Sequence, residues 1–206
     1  FRSFLAEQLD GKLRSAHQIE RLLGIRNIGM VPSVRGLGRR SGSLQHYLQK
    51  KPLSAYAESV REVEAAIKLA ATGSSSRVIL VTSSLPNEGK TTFALSLATA
   101  AALSGVRTVV LDLDFRNPSV FKQLASSQAP DLTEYLTGSC SYQEVVQVDD
   151  RLPHLHALPV KRPARSPTTI VASPRLGELI TLLRSQYDWV VLDTPPLLGL
   201  TDVKAM

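Results

Sequence analysis

RVILVTSSLPNEGKTT, Arg77 to Thr92, is a run of β-formers that breaks into a polar turn and reopens on the small-residue pattern of a helix. Val78-Ile79-Leu80-Val81 reads as a strand of a buried parallel sheet, the anchor of the turn. Ser84-Leu85-Pro86-Asn87-Glu88-Gly89 must then curl so that successive backbone N–H groups point inward, a conformation Gly89 tolerates. A helix opening at Lys90 adds its unpaired N–H groups and the positive end of its dipole. This is the layout of a phosphate-binding loop. In it Lys90 reaches the β- and γ-phosphates of a nucleotide, the Thr91 hydroxyl meets Mg²⁺, and Ser84, Pro86, Asn87, Glu88, Gly89 and Thr92 complete the lining. The strict pattern G-x-x-x-x-G-K-[ST] has glycine where this chain has Ser84. The bland alternative is a chance Gly-Lys-Thr at a strand-to-helix turn.

Two further stretches bear on that alternative. Val109-Val110-Leu111-Asp112-Leu113-Asp114 is an apolar strand that delivers two carboxylates at i and i+2, on one face. Val190-Val191-Leu192-Asp193 is a second strand with an acid at its end. An unpaired carboxylate at the end of a buried strand is costly, so these acids point to the lysine of the phosphate loop as partner, the bland reading being helix caps or surface turns.

At these residues the chain resembles a known family. SSLPNEGKT, VVLDLDFR and VVLDTPP are similar to the Walker A, Walker A′ and Walker B motifs of bacterial tyrosine kinases, the cytoplasmic modules of Wzc-type polysaccharide co-polymerases. Asp114-Phe115-Arg116-Asn117-Pro118-Ser119, Asp131 to Gly138, Ala172 to Arg175 and Tyr187 to Pro196 follow in that family's order, so the resemblance covers nearly the whole chain. It implies an α/β fold of the MinD/ParA-like P-loop type, a parallel sheet with flanking helices, cut off after the Walker B strand. It implies ATP and Mg²⁺, with Asp114 and Asp193 joining Thr91 around the metal. Lys90, Asp112 and Asp114 become the catalytic set, Asp112 orienting or deprotonating a tyrosine hydroxyl, or exchanging roles with Asp114. The partners it implies are further copies of the chain, polysaccharide polymerase and export components, and the inner membrane, reached on its cytoplasmic face through a preceding transmembrane helix.

Composition agrees with an α/β domain plus an appendage: 206 residues, 43% apolar, with a single cysteine, Cys140, that excludes an internal disulfide. No apolar run approaches the roughly 18 to 20 residues of a membrane span; Phe93 to Leu103 reads instead as the packed helix after the loop. Residues 1–76 hold 12 Lys/Arg against 6 Asp/Glu, whereas residues 77–206 hold 12 of each. The whole net charge of +6 therefore lies in the leading segment, which suggests an anionic surface nearby, a headgroup layer or a nucleic acid, against the plainer reading of a charge run that is simply solvated. His46 and Tyr47 are too few aromatics there for a nucleic-acid site. Residues 1–54 read as a basic juxtamembrane segment and linker, and residues 55–206 as the P-loop ATPase/kinase domain, incomplete at its end. A start at Phe1 and a stop soon after the Walker B strand suggest a fragment of a larger membrane protein.

Along the chain, Phe1 to Leu9 reads as a helix. Ser15 with Gln18 spaces a capping box ahead of a helix stopped at Gly24. Ile25 to Val31 reads as a short strand, Val34 to Ser54 as a linker, Tyr56 to Ala71 as a helix, and Pro118 to Ala125 and Asp131 to Leu136 as short helices. His154 and His156 alternate on a strand without a third metal ligand, Lys161 to Pro167 is a basic loop, and Pro174 to Gln186 is an amphipathic helix.

Two departures from the family matter. Its E-x-x-R-x-x-R interface helix appears here as Glu58, Arg61 and Glu64, which reverses a charge and puts ring assembly in question; Arg61 can also pair along the helix. In the 161–167 loop, Ser166-Pro167 and Thr169 stand where the family has Asn-Pro and a Glu. The related partitioning ATPases carry an extra lysine early in the loop, where this chain has Leu85. Two rival readings remain: an ATP-binding assembly switch of the same machinery, and a partitioning-type ATPase.

Overall fold

The computed structural model describes residues 15–34, 44–70, 76–120, 129–149 and 151–198. Its strands are β1 (Arg77–Val81), β2 (Thr108–Asp112), β3 (Gln147–Asp149), β4 (Leu152–Leu158) and β5 (Trp189–Asp193), in one sheet of order β1-β5-β2-β4-β3. The first four of that order run parallel, and β3 closes the edge antiparallel to β4. The helices are α1 (Ala16–Leu23), α2 (Leu44–Lys50), α3 (Ala55–Ala70), α4 (Lys90–Leu103), α5 (Leu132–Leu136), α6 (Tyr142–Val145), α7 (Pro167–Val171) and α8 (Pro174–Gln186).

Strands covered on both faces must be apolar at every position, and β2 and β5 are buried throughout. Val109, Leu111, Val190 and Leu192 point to one face, where Leu176, Leu179 and Leu183 of α8 pack with Leu132, Leu136 and Val145. Val110 and Val191 point to the other, against Ala94, Leu95 and Ala98 of α4. Helix α4 is apolar around its whole circumference because its back is covered too: Leu97 and Ala101 meet Val63 of α3, and Ala100 meets Leu48, Tyr56 and Val60. Truncating Leu95 or Leu97 to alanine there would cost about 2–5 kcal/mol.

The register sets up the site. Val81 pairs with Asp193, and Asp193 with Asp112, so the end of β1 and two acids stand side by side at the carboxyl edge of the sheet.

The expected α1 cap forms: Ser15 accepts a hydrogen bond from the Gln18 amide, and Gly24 ends the helix at φ 66°. Asp131 and Glu134 build the expected capping box of α5. Ile25 to Val31 is not a strand. Among the described residues it pairs with no strand; the Asn27 amide donates to Glu20 and the Gly29 amide to the Asn27 side chain. Gly29 lies so near Val63 that a Cβ there would collide with it. Within the expected linker, α2 forms because Leu48 finds an apolar seat on α3 and α4. Residues 118–120 are not helical where Pro118 is expected to open a helix, and 121–128 lie outside the described residues, as does Phe1 to Leu9. Arg61 does not take up Glu64, which is buried and paired with Lys68 one turn on and with the Ser104 hydroxyl.

Candidate active site

The loop after β1 is bound to the segment after β5. The Thr194 amide donates to the Val81 carbonyl at 3.0 Å, Leu197 to Ser83 at 2.8 Å and Leu198 to Ser84 at 3.0 Å, while the Thr82 hydroxyl donates to Pro195 at 2.9 Å. Ser84 thus holds the turn through its carbonyl, which glycine would do equally. The turn closes on Glu88, whose carboxylate accepts the Leu85 amide at 3.0 Å. Asn87 at φ 64° and Gly89 at φ 92° take left-handed backbone, which Asn tolerates best among residues with a Cβ. Gly89 is the N-cap of α4 and offers no side chain to cap it. The first-turn N–H groups at Lys90, Thr91 and Thr92 therefore stay available to an anion.

Lys90 turns back over the sheet edge. Its Nζ lies 2.8 Å from Asp114 Oδ2, 3.7 Å from Asp193 Oδ1 and 3.4 Å from Thr91 Oγ1. The Thr91 hydroxyl donates to Asp193 Oδ2 at 2.6 Å. Asp114 and Asp193 are 3% and 0% exposed, so this is a nearly dry cluster. Burial raises the Asp193 pKa, opposed by the Thr91 hydrogen bond and the Lys90 charge.

Asp112 differs. It too is fully buried, but its carboxylate accepts the amides of Asp114 at 3.3 Å and of Ser119 and Val120 at 3.1 Å each. Those bonds fold residues 112–120 back on the strand end. Burial pushes its pKa up to about 7, with the nearby Asp193 adding to the rise and the amides opposing it.

Ser119 was given no chemistry by its sequence pattern, yet its Oγ lies 2.8 Å from Thr91 Oγ1. The only signal for it is its place in the run Asp114 to Ser119. Pro86, Asn87 and Glu88 shape the turn, and Thr92 contributes its amide, its carbonyl being taken by Ser96.

The residues fit a magnesium nucleotide. Asp193 Oδ1 is buried without a hydrogen bond, a position a cation would satisfy. The described residues hold no cluster of three His, Cys, Asp or Glu that would cage a metal. A hydroxyl with one or two carboxylates and substrate phosphates is, however, the usual setting of Mg²⁺.

A strand, a left-handed turn, a lysine at a bare helix start and acids on two adjoining strands define a P-loop nucleotide-binding protein. A family model described as an AAA domain matches residues 76–206, and the chain belongs to that family. It is 30% identical over 96% of its length to the succinoglycan biosynthesis transport protein ExoP of Rhizobium meliloti strain 1021, of which it covers 28%. The tyrosine kinase domain of BceF is 26% identical with a TM-score of 0.79, over 92% of this chain and 79% of that one. The septum site-determining protein MinD of Pyrococcus horikoshii, solved with Mg-ADP, shares the fold at 23% identity and a TM-score of 0.52, over 64% of this chain and 54% of that one. The chain spans less than a third of the length of ExoP and of the two Ralstonia EpsB proteins it also matches. No described helix is long and apolar enough to cross a membrane.

Proposed function

We propose that the chain is the ATP-dependent protein-tyrosine autokinase module of a polysaccharide co-polymerase, controlling exopolysaccharide polymerisation and export. One observation carries the reading: Lys90 lies 2.8 Å from Asp114 and 3.7 Å from Asp193, whose second oxygen takes the Thr91 hydroxyl at 2.6 Å. A lysine poised on two carboxylates at a phosphate loop is free to move onto phosphates when they arrive. The loop amides and Lys90 would then hold the ATP phosphates, and Thr91 would hold Mg²⁺ together with Asp114 and Asp193. A Mg²⁺ held there would supply neutralisation of phosphate charge. In the transfer the tyrosine oxygen bonds to the γ-phosphorus, the bond to the β,γ-bridging oxygen breaks, and the tyrosine proton passes to a carboxylate. Asp112 is the proposed acceptor, reached when the 117–120 turn opens, and Asp114 is its alternate.

In this reading residues 55–206 form the ATPase/kinase domain. Residues 1–54 are a basic segment against the cytoplasmic face of the inner membrane, next to a membrane helix, and further copies of the chain are partners. The ExoP and BceF likenesses support it. A second reading, an ATP-binding assembly switch with little phosphotransfer, is favoured by buried Glu64 standing where the family's interface helix has arginine. Incubation with ATP and Mg²⁺ followed by phosphotyrosine detection separates them. Phosphotyrosine that vanishes in Lys90→Met supports the kinase; tight nucleotide binding with none supports the switch; Lys90→Met turning over ATP at the parent rate removes both.

A further inference from the structure

We propose that three arginines beside the phosphate loop form a docking rim for an acidic segment of the tyrosine-bearing substrate. The inference rests on the kinase reading and names its substrate class.

The 161–165 loop is pinned to the chain immediately after Asp114: the Ala164 amide donates to the Phe115 carbonyl at 2.8 Å. Arg116 follows Phe115, Arg165 follows Ala164, and Arg162 lies two residues before it. With Cα atoms about 3.8 Å apart along a chain, that hydrogen bond holds the three backbone positions within roughly 10–15 Å of one another. All three side chains are exposed, and no ion pair to any of them is found among the described residues. Lys161, by contrast, is committed inward, its ammonium on the Ala129 carbonyl and its amide on Asp131. No acid lies in residues 115–120 or 159–167, and the acid held against this loop, Asp131, is buried with its oxygens on the Lys161 and Glu134 amides.

Its position selects the ligand. Phe115 adjoins Asp114, which holds Lys90, so the rim borders the place where an acceptor hydroxyl has to approach within about 3 Å of the γ-phosphate. A peptide presenting a tyrosine there continues outward at about 3.3–3.6 Å per residue. Its flanking positions three or four residues away then pass over Arg116, Arg162 and Arg165. Glutamate or aspartate at those positions meets planar, paired donors suited to carboxylates. Exposed pairs of this kind act on encounter and on KM and are weakened by salt.

The test uses the whole chain and three synthetic tyrosine peptides, flanked by Glu, by Ser/Gly or by Lys, with Arg162→Ser/Arg165→Ser as the variant. The expected result is a KM for the Glu-flanked peptide lower by about tenfold than for the Ser/Gly-flanked one, the advantage vanishing in the variant and at high salt while ATP affinity is unchanged. Equal KM values for the three peptides, or an unchanged variant, overturn the rim. Fluorescence anisotropy of a labelled Glu-flanked peptide with Phe replacing Tyr reads the rim without chemistry. Binding lost in the variant upholds the rim even if neither the chain nor any peptide gains phosphotyrosine, an outcome that rejects the kinase reading alone. Phosphorylation without flank preference does the reverse.

Discussion

The two ends of β2 and β5 carry the same kind of ion pair in opposite settings. At the amino end Arg107 and Asp188 meet at 3.0 Å with side chains 60% and 38% exposed. At the carboxyl end Lys90 meets Asp114 at 2.8 Å with 11% and 4% exposed, and Asp193 stands by with none. Water already satisfies the first pair, so it adds little. In the second each charge depends on its neighbours, and displacing one leaves the others wanting a substitute. The buried arrangement makes poor sense as a fastening and good sense as a socket for phosphate and metal.

The largest expected effect is therefore at Lys90. Lys90→Met leaves Asp114 and Asp193 without their cation and should cost about 3 kcal/mol in a urea titration at neutral pH. It should also lower phosphotransfer or ATP turnover by at least about a hundredfold. Stability equal to the parent would mean that the lysine is not holding the acids apart in solution.

Asp112→Asn comes next, because it asks whether the third acid belongs to the socket or to its wall. An amide offers one accepting oxygen where the carboxylate serves three N–H groups. A loss of about 1–2 kcal/mol is expected, with faster hydrogen exchange at Ser119 and Val120. Exchange unchanged at those two amides would remove Asp112 as the holder of the turn.

These acids also mark how far the sequence could be read. The strands β2 and β5 announce themselves because strands buried on both faces must be apolar throughout, and α4 and α8 by their apolar positions; β1 is as apolar as they are but lies at the edge of the described sheet, with Val78 and Leu80 exposed rather than buried as its sequence suggests. Lys90, Thr91, Asp114 and Asp193 follow from the motif spacing, and the structure brings them together. The inward capture of Asp112 and the approach of Ser119 to Thr91 were not legible, because both depend on a turn at 117–120 whose sequence also suits a helix start. Ile25 to Val31 shows the opposite failure: its residues suit a strand, but no local pattern tells whether a ladder partner exists, and among the described residues none pairs with it.

At the amino end, protonation offers a finer comparison. His156 Nδ1 lies 2.6 Å from the Tyr187 hydroxyl, which also meets that of Tyr142 at 2.9 Å. Burial lowers the His156 pKa, partly offset by the Pro153 backbone, with His154 pushing further down. A histidine harder to protonate folded than unfolded gives stability that is complete above its unfolded pKa of about 6.5 and declines as pH falls below it. His156→Gln should flatten the stability profile between about pH 7 and pH 5, read by thermal melts across that range. An unaltered slope would show that the network does not sense the proton.

The smallest effect is expected at the exposed pair itself. The hydrogen bonds from Arg107, then its charge, hold the Asp188 carboxyl below its usual range, so any contribution is present above the unfolded carboxylate pKa of about 3.9 and is lost as pH falls below it. Asp188 accepts the Arg107 backbone amide at 3.0 Å as well as the guanidinium. Arg107→Ala therefore removes the charge pair and keeps the bond that joins the chain before β2 to the chain before β5. The expected outcome is a small downward shift of the melting midpoint at low salt that disappears near 1 M, where the Debye length is about 3 Å. A shift that persists at high salt, or one rivalling Lys90→Met, would mean that side-chain packing at this end carries weight its exposure does not suggest, and the contrast between the two ends would have to be drawn from shape instead of burial.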